Sequence, residues 1–107
     1  EPCRGVMTAY LVVQAELTDP VRFRRYSEKV PQLVADFGGE YIVLGGKSEV
    51  LEGELDGVKL VIHRWPNMEA AKLFWNSHQY RDVKKLREGT GQFKVMLLEG
   101  RVRQHLE

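Results

Sequence analysis

One histidine stands where it could move a proton. His63 lies in Lys59-Leu-Val-Ile-His-Arg-Trp65, a run of β-branched and large apolar residues closed by Pro66, so a ring that titrates near neutral pH is carried on a strand beside a tryptophan and is a candidate general base. A hydrogen-bonded core or interface histidine fits the same pattern. No nucleophile accompanies it, because the chain has no Gly-x-Ser-x-Gly. Its single cysteine, Cys3, precedes the first strand and has no second cysteine to pair with; it reads as an incidental free thiol. His63, His78 and His105 lack metal-ligand spacing, and there is no Cys-x-x-Cys. Neither a metal, haem nor any other cofactor is therefore expected. The pairs Gly38-Gly39 and Gly45-Gly46 read as turn and bulge glycines rather than a phosphate loop, since no Gly-x-Gly-x-x-Gly opens a helix.

A second set of side chains suits ligand binding. Phe74, Trp75 and Tyr80 could line an aromatic pocket for a planar substrate between helix and sheet, and core packing explains the same spacing. Tyr10, Gln14, Tyr41 and Arg87 have polar tips that could converge on a ligand or make interface hydrogen bonds. The substrate-binding residues expected from these two groups are Tyr10, Trp75, Tyr80 and Arg87.

The elements that must hold these residues are legible in order. Met7–Leu17 alternates as a first strand, with Ala9, Leu11, Val13, Ala15 and Leu17 on one face and Tyr10, Val12, Gln14 and Glu16 on the other. Asp19 is placed to cap a helix with Pro20 at its first position. Phe23, Tyr26, Val30, Leu33, Val34 and Phe37 form that helix's apolar stripe. Pro31 is expected to kink it, and Gly38-Gly39 to end it. Glu40–Gly53 reads as a strand bent at Gly45-Gly46, and Asp56-Gly57 as the hairpin turn into the central strand, Val58–Trp65. On that strand Val61, His63 and Trp65 share one face. Asn67 then caps an amphipathic helix, Ser77 is placed to break it and cap a second segment, and Gly89 stops it. Gln92–Glu99 is the fourth strand.

The order strand, helix, strand, strand, helix, strand is the ferredoxin-like βαββαβ arrangement of an α+β domain, an antiparallel sheet with two helices on one face. One domain, 7–100, is expected, with 1–6 and 101–107 as tails and Met7 as the natural start. The last two residues of the second tail are expected to be vector-derived. With 107 residues and 43% hydrophobic content the chain can bury a core. A net charge of +1 with interspersed signs gives no long-range field for nucleic acid or anionic membrane, and Lys59–His63 lacks the glycine-aromatic signature of base-stacking sheets. No run is long and apolar enough to span a membrane and no leader is recognisable; the expected compartment is the cytoplasm. The runs Leu11-Val12-Val13, Leu60-Val61-Ile62 and Val95-Met96-Leu97-Leu98 are apolar on both faces, and two helices cover only one. The second face is expected to meet a second copy, giving a homodimer packed sheet against sheet.

Across Met7 to Gly100, the points Met7-Thr-Ala-Tyr10, Thr18-Asp-Pro20, Gly38-Gly39-Glu-Tyr41, Gly45-Gly46, Glu52-Gly53, Ala70-Ala71, Phe74-Trp75, Ser77-His-Gln-Tyr80 and Arg87 together resemble the DUF1330 family of small proteins of unknown function. The resemblance implies a dimeric α+β barrel, a superfamily that includes cofactor-independent monooxygenases, muconolactone isomerase-like enzymes and haem-binding members. Three positions depart from the family pattern. Leu44 stands where an arginine is common, His63 where the residue is often acidic or apolar, and His78 where proline is common. The first removes a candidate anion-binding group. Two functions are then expected as alternatives. One is a cofactor-independent enzyme performing proton transfer, isomerisation or monooxygenation on a small aromatic or enolisable substrate, with His63 as base and Tyr10, Tyr80 or Arg87 as donors to an oxyanion. The other is a non-catalytic small-molecule-binding or stress-related dimer.

Overall fold

A computed structural model describes residues 8–101; Cys3, Met7, His105 and most of both expected tails lie outside the described residues. The chain runs β1 (Ala9–Leu17), α1 (Pro20–Asp36), β2 (Glu40–Leu44), β3 (Lys59–Trp65), α2 (Met68–Asn76), α3 (His78–Lys84), a 3-10 turn (Lys85–Arg87) and β4 (Gly91–Glu99). The four strands form one antiparallel sheet in the order β2-β3-β1-β4. This is the expected α+β, ferredoxin-like βαββαβ topology, with the helices on one face.

Local chemistry explains the boundaries. The Asp19 side chain accepts from the Arg22 amide at 3.1 Å and Pro20 opens α1, which satisfies one orphan donor of the first turn. Asn67 accepts from the Ala70 amide at 2.7 Å and starts α2. Ser77 ends α2 with an extended backbone, and its hydroxyl oxygen accepts from the Tyr80 amide at 3.0 Å to begin α3, so the break falls at the expected residue. Pro31 stands inside α1, which continues unbroken to Asp36; the ring supplies no N–H to the Ser27 carbonyl one turn earlier.

The segment after Tyr41 differs from expectation. β2 stops at Leu44, and residues 45–58 form no strand. The bulge lies between Tyr41 and Val43, not at Gly45-Gly46. Positive φ at Gly45, Gly53 and Gly57 turns the chain away from the ladder, and Leu51, 90% exposed, has nothing to pack on. Val50 and Leu51 therefore do not continue a strand.

The core lies between the sheet's helix face and the helices. Trp65, Phe74 and Val34 are its largest sealed hydrophobic side chains, and Ala9, Leu11, Val30, Ala71 and Tyr80 complete it. Trp65 lies against Gly39: a Cβ at residue 39 would come within 2.7 Å of the indole ring. Among the described residues no helix covers the opposite sheet face. Strand register places Val43, Ile62, Val12 and Met96 in one row across it, with Met96 60% exposed. On one side of that row lie Glu40, Arg64, Tyr10 and Leu98, and on the other Leu60, Gln14 and Lys94. The Cα envelope is 17 Å thick in its thinnest direction, the depth of one sheet and one helix layer.

Candidate active or binding site

The helix side of the sheet holds a cavity of about 360 Å³ between α1, the β-strands and the 3-10 turn. Its wall is mainly apolar, with Val13, Val61 and Val95 from the sheet and Val30 from α1. Its polar groups are the side chains of Ser27, Tyr26, Tyr41, Tyr80 and Arg87. Among the described residues Arg87 is the single charged one in that lining.

Each polar group is held by identifiable contacts. Tyr26 reaches the cavity from the apolar stripe of α1, and its hydroxyl lies 2.8 Å from that of Tyr80. Tyr80 points toward α1 because Ser77 restarts the helix three residues earlier. Burial, reinforced by the neighbouring phenol, pushes the Tyr26 hydroxyl far above the ordinary tyrosine range. Burial also pushes Tyr41 up to about 12. Both phenols are neutral donors at physiological pH.

Arg87 ends the 3-10 turn, and Thr90 fixes the turn. The buried Thr90 hydroxyl donates to the Arg87 carbonyl at 2.6 Å and its amide donates to the same oxygen at 3.1 Å. The Thr90 carbonyl in turn accepts from the amides of Thr18 and Asp19 at 2.8 and 3.0 Å. Gly89, with φ of +78°, allows the reversal between them. The turn bearing Arg87 is thus tied to the start of α1. The guanidinium carbon sits 4.3 Å from the Phe93 ring centroid and 5.7 Å from that of Tyr26, an arrangement that favours the cation over the ring faces. Among the described residues its enclosed Nε has no hydrogen-bond partner and no carboxylate forms an ion pair with it.

The residues expected from sequence divide. Tyr80 and Arg87 meet in the cavity. Tyr10 is on the open face of the sheet, opposite Arg64 and Leu98, where its hydroxyl accepts from Thr8 at 3.3 Å. Gln14 shares that face, so the four polar-tipped residues do not converge: Tyr41 and Arg87 are on one side of the sheet and Tyr10 and Gln14 on the other. Trp75 packs at a tilt against Tyr80, with ring centroids 5.2 Å apart, under the Lys84 ammonium. It lines a separate smaller groove with Leu11, Ala71 and Leu97. Phe74 is sealed in the core.

His63 is 5% exposed and does not line the cavity. Its ring packs edge-on to Tyr41 at 4.5 Å and near Trp65 and Phe74 at 6.1 and 6.2 Å. Its Nδ1 is buried without a partner, and desolvation lowers its pKa from the ordinary 6.5 to about 4. The consequence for stability has a definite sign. As pH falls below 6.5 the unfolded chain takes up a proton that the folded chain refuses until about pH 4. Stability is full above that window and declines through it, by on the order of 3 kcal/mol. Urea unfolding at pH 7 and pH 4.5 should show the decline, and His63→Leu should reduce it. Equal pH dependence in both proteins would refute this origin.

Sequence reasoning missed Tyr26 and Phe23 as site residues because they belong to the α1 apolar stripe and read as core. The available signal was a polar-tipped tyrosine on the buried stripe of each of two helices packed on the same sheet.

No curated protein matches the chain. Among solved structures it is similar to a structural-genomics protein of unknown function from Rhodopseudomonas palustris, with 16% sequence identity, 89% of this chain and 82% of that chain covered, and a TM-score of 0.70; the likeness is one of fold. The sequence model of the domain of unknown function DUF1330 matches residues 8–101. The chain belongs to the DUF1330 family.

Proposed function

We propose that the protein is a small-molecule-binding homodimer, each subunit holding one ligand in the cavity between α1 and the sheet. The observation that carries this function is the composition of that cavity: an apolar wall of about 360 Å³ into which one guanidinium and three phenols converge. Its size lies at the small end of the ~300–1,000 Å³ typical of ligand pockets, and few oriented polar groups on an apolar wall are what such pockets have in common. The dimer is supported by the apolar row Val43, Ile62, Val12 and Met96 on the helix-free face and by the family resemblance to dimeric α+β barrels.

The same donors favour a second function, cofactor-independent proton transfer, isomerisation or monooxygenation of an aromatic or enolisable substrate. Tyr26, Tyr80 and Arg87 would stabilise a developing oxyanion, and His63, packed edge-on against Tyr41 and outside the cavity lining, would be the base. A base with a pKa of about 4 is weaker than the near-neutral value that suits this task, which is why binding is placed first.

Thermal unfolding with a panel of small phenolic, enolisable and acidic ring compounds tests the proposal. At a ligand concentration tenfold above its dissociation constant the domain gains about 1.4 kcal/mol, a midpoint rise of several degrees. Ala15, on the cavity wall, offers a control: Ala15→Leu should fill the void and remove the rise. A panel with no effect, or an effect unchanged in the variant, would exclude the cavity as the binding site.

A further inference from the structure

We infer that the cavity is built for the carboxylate of a small, flat monoanion, an aromatic or conjugated monocarboxylate of one or two rings. This rests on the binding function proposed above and names its ligand class.

Among the described residues Arg87 is the lone charged side chain of the lining and has no carboxylate partner. An enclosed guanidinium nitrogen without an acceptor is costly, because desolvation is not repaid by any bond. A carboxylate arriving with the ligand would supply both the acceptor and the countercharge, and the planar fork of arginine matches it with two parallel hydrogen bonds. One cation without a glycine-rich amide cradle suits a monoanion rather than a phosphate dianion.

The phenols agree with this polarity. Tyr26 and Tyr80 share one hydrogen bond at 2.8 Å, so of their two hydroxyl protons one is used between them and the other remains for a ligand oxygen. Tyr41 offers a further neutral hydroxyl. Among the described residues the lining contains no Asp, Glu or His, so none of them would repel an anion or take up its charge.

Shape supplies the ring. Phe23 and Phe93 stack with centroids 5.7 Å apart and planes 17° from parallel, and the Arg87 guanidinium lies over Phe93. Beside this flat wall the β-branched residues Val13, Val61 and Val95 leave an apolar slot. A planar ring buries its faces there while its carboxylate meets Arg87.

Calorimetric titration with benzoate and cinnamate, and with their neutral amides benzamide and cinnamamide, tests this on the full chain. The acids should bind, and the amides should bind roughly 10- to 100-fold more weakly, the worth of a charge-assisted hydrogen bond. Arg87→Met should remove the preference for acid, and Arg87→Lys should retain part of it. Amides that bind as well as the acids would overturn the carboxylate assignment while leaving the binding function intact, as would an undiminished preference for acid in Arg87→Met. If no ring compound of either charge binds the folded wild-type protein, the binding function falls and this inference with it. The acid-to-amide comparison needs no variant, so a misfolded mutant would not remove the test.

Discussion

A glutamate in place of Val12 is expected to abolish self-association while leaving the subunit folded. Val12 sits mid-row on the helix-free face, between Ile62 and Met96, and alternation turns its side chain away from the face that carries Leu11 of the core and Val13 of the cavity wall. In the sheet-to-sheet dimer proposed above, the variant would bury an unpaired carboxylate from each subunit. An uncompensated buried charge costs on the order of 3–5 kcal/mol, already more than about a hundredfold in dissociation constant for one copy. Light scattering coupled to gel filtration should therefore fall from twice the 12.3 kDa chain mass to that mass, with unchanged far-ultraviolet dichroism. Met96→Lys should act in the same direction. A wild-type monomer, or a Val12→Glu dimer of undiminished stability, would sink the sheet-to-sheet placement.

Trp65→Ala is expected to cost about 3–5 kcal/mol, a large part of the ~5–15 kcal/mol that holds a domain folded. The indole is fully buried, 4.9 Å from Phe74, and seated on Gly39, whose missing side chain makes room for it. With a urea dependence of ~2 kcal/mol per molar, the midpoint should drop by about 2 M. Trp65→Phe should cost much less, because it keeps an aromatic ring in place and deletes an indole N–H that has no partner in the core, a group whose burial costs about 1–3 kcal/mol. If Trp65→Ala and Trp65→Phe lose the same stability, ring packing is not what this position contributes.

Gly39 also shows where sequence reasoning stopped. It reads as half of a turn pair, and its neighbour Gly38, with φ of +94°, is a turn glycine. Gly39 has no positive φ; it is required by a tryptophan 26 positions away in the chain, a contact no local pattern encodes. Glu40–Gly53 misled for a related reason. Val50 and Leu51 have strand composition, but strand propensity is realised only against a paired and packed surface, and past Leu44 the chain has none.

Features that depend on near neighbours are legible in the chain alone. The caps at Asp19, Asn67 and Ser77, the order of elements, and the division of each strand into two faces all follow from hydrogen bonds within four residues or from a period of two. Alternation correctly grouped Val61, His63 and Trp65, and it put Tyr10 and Gln14 on the opposite face of β1 from the core. It could not say which face of one strand joins which stripe of a helix. That Tyr26 meets Tyr80 across 54 residues, that Arg87 joins them while Tyr10 does not, and that His63 is sealed behind Tyr41 are outcomes of packing between distant segments. A site assembled from a helix, a turn and several strands exists only once hydrophobic burial has closed the helices onto the sheet, and the groups it gathers are set by that packing geometry.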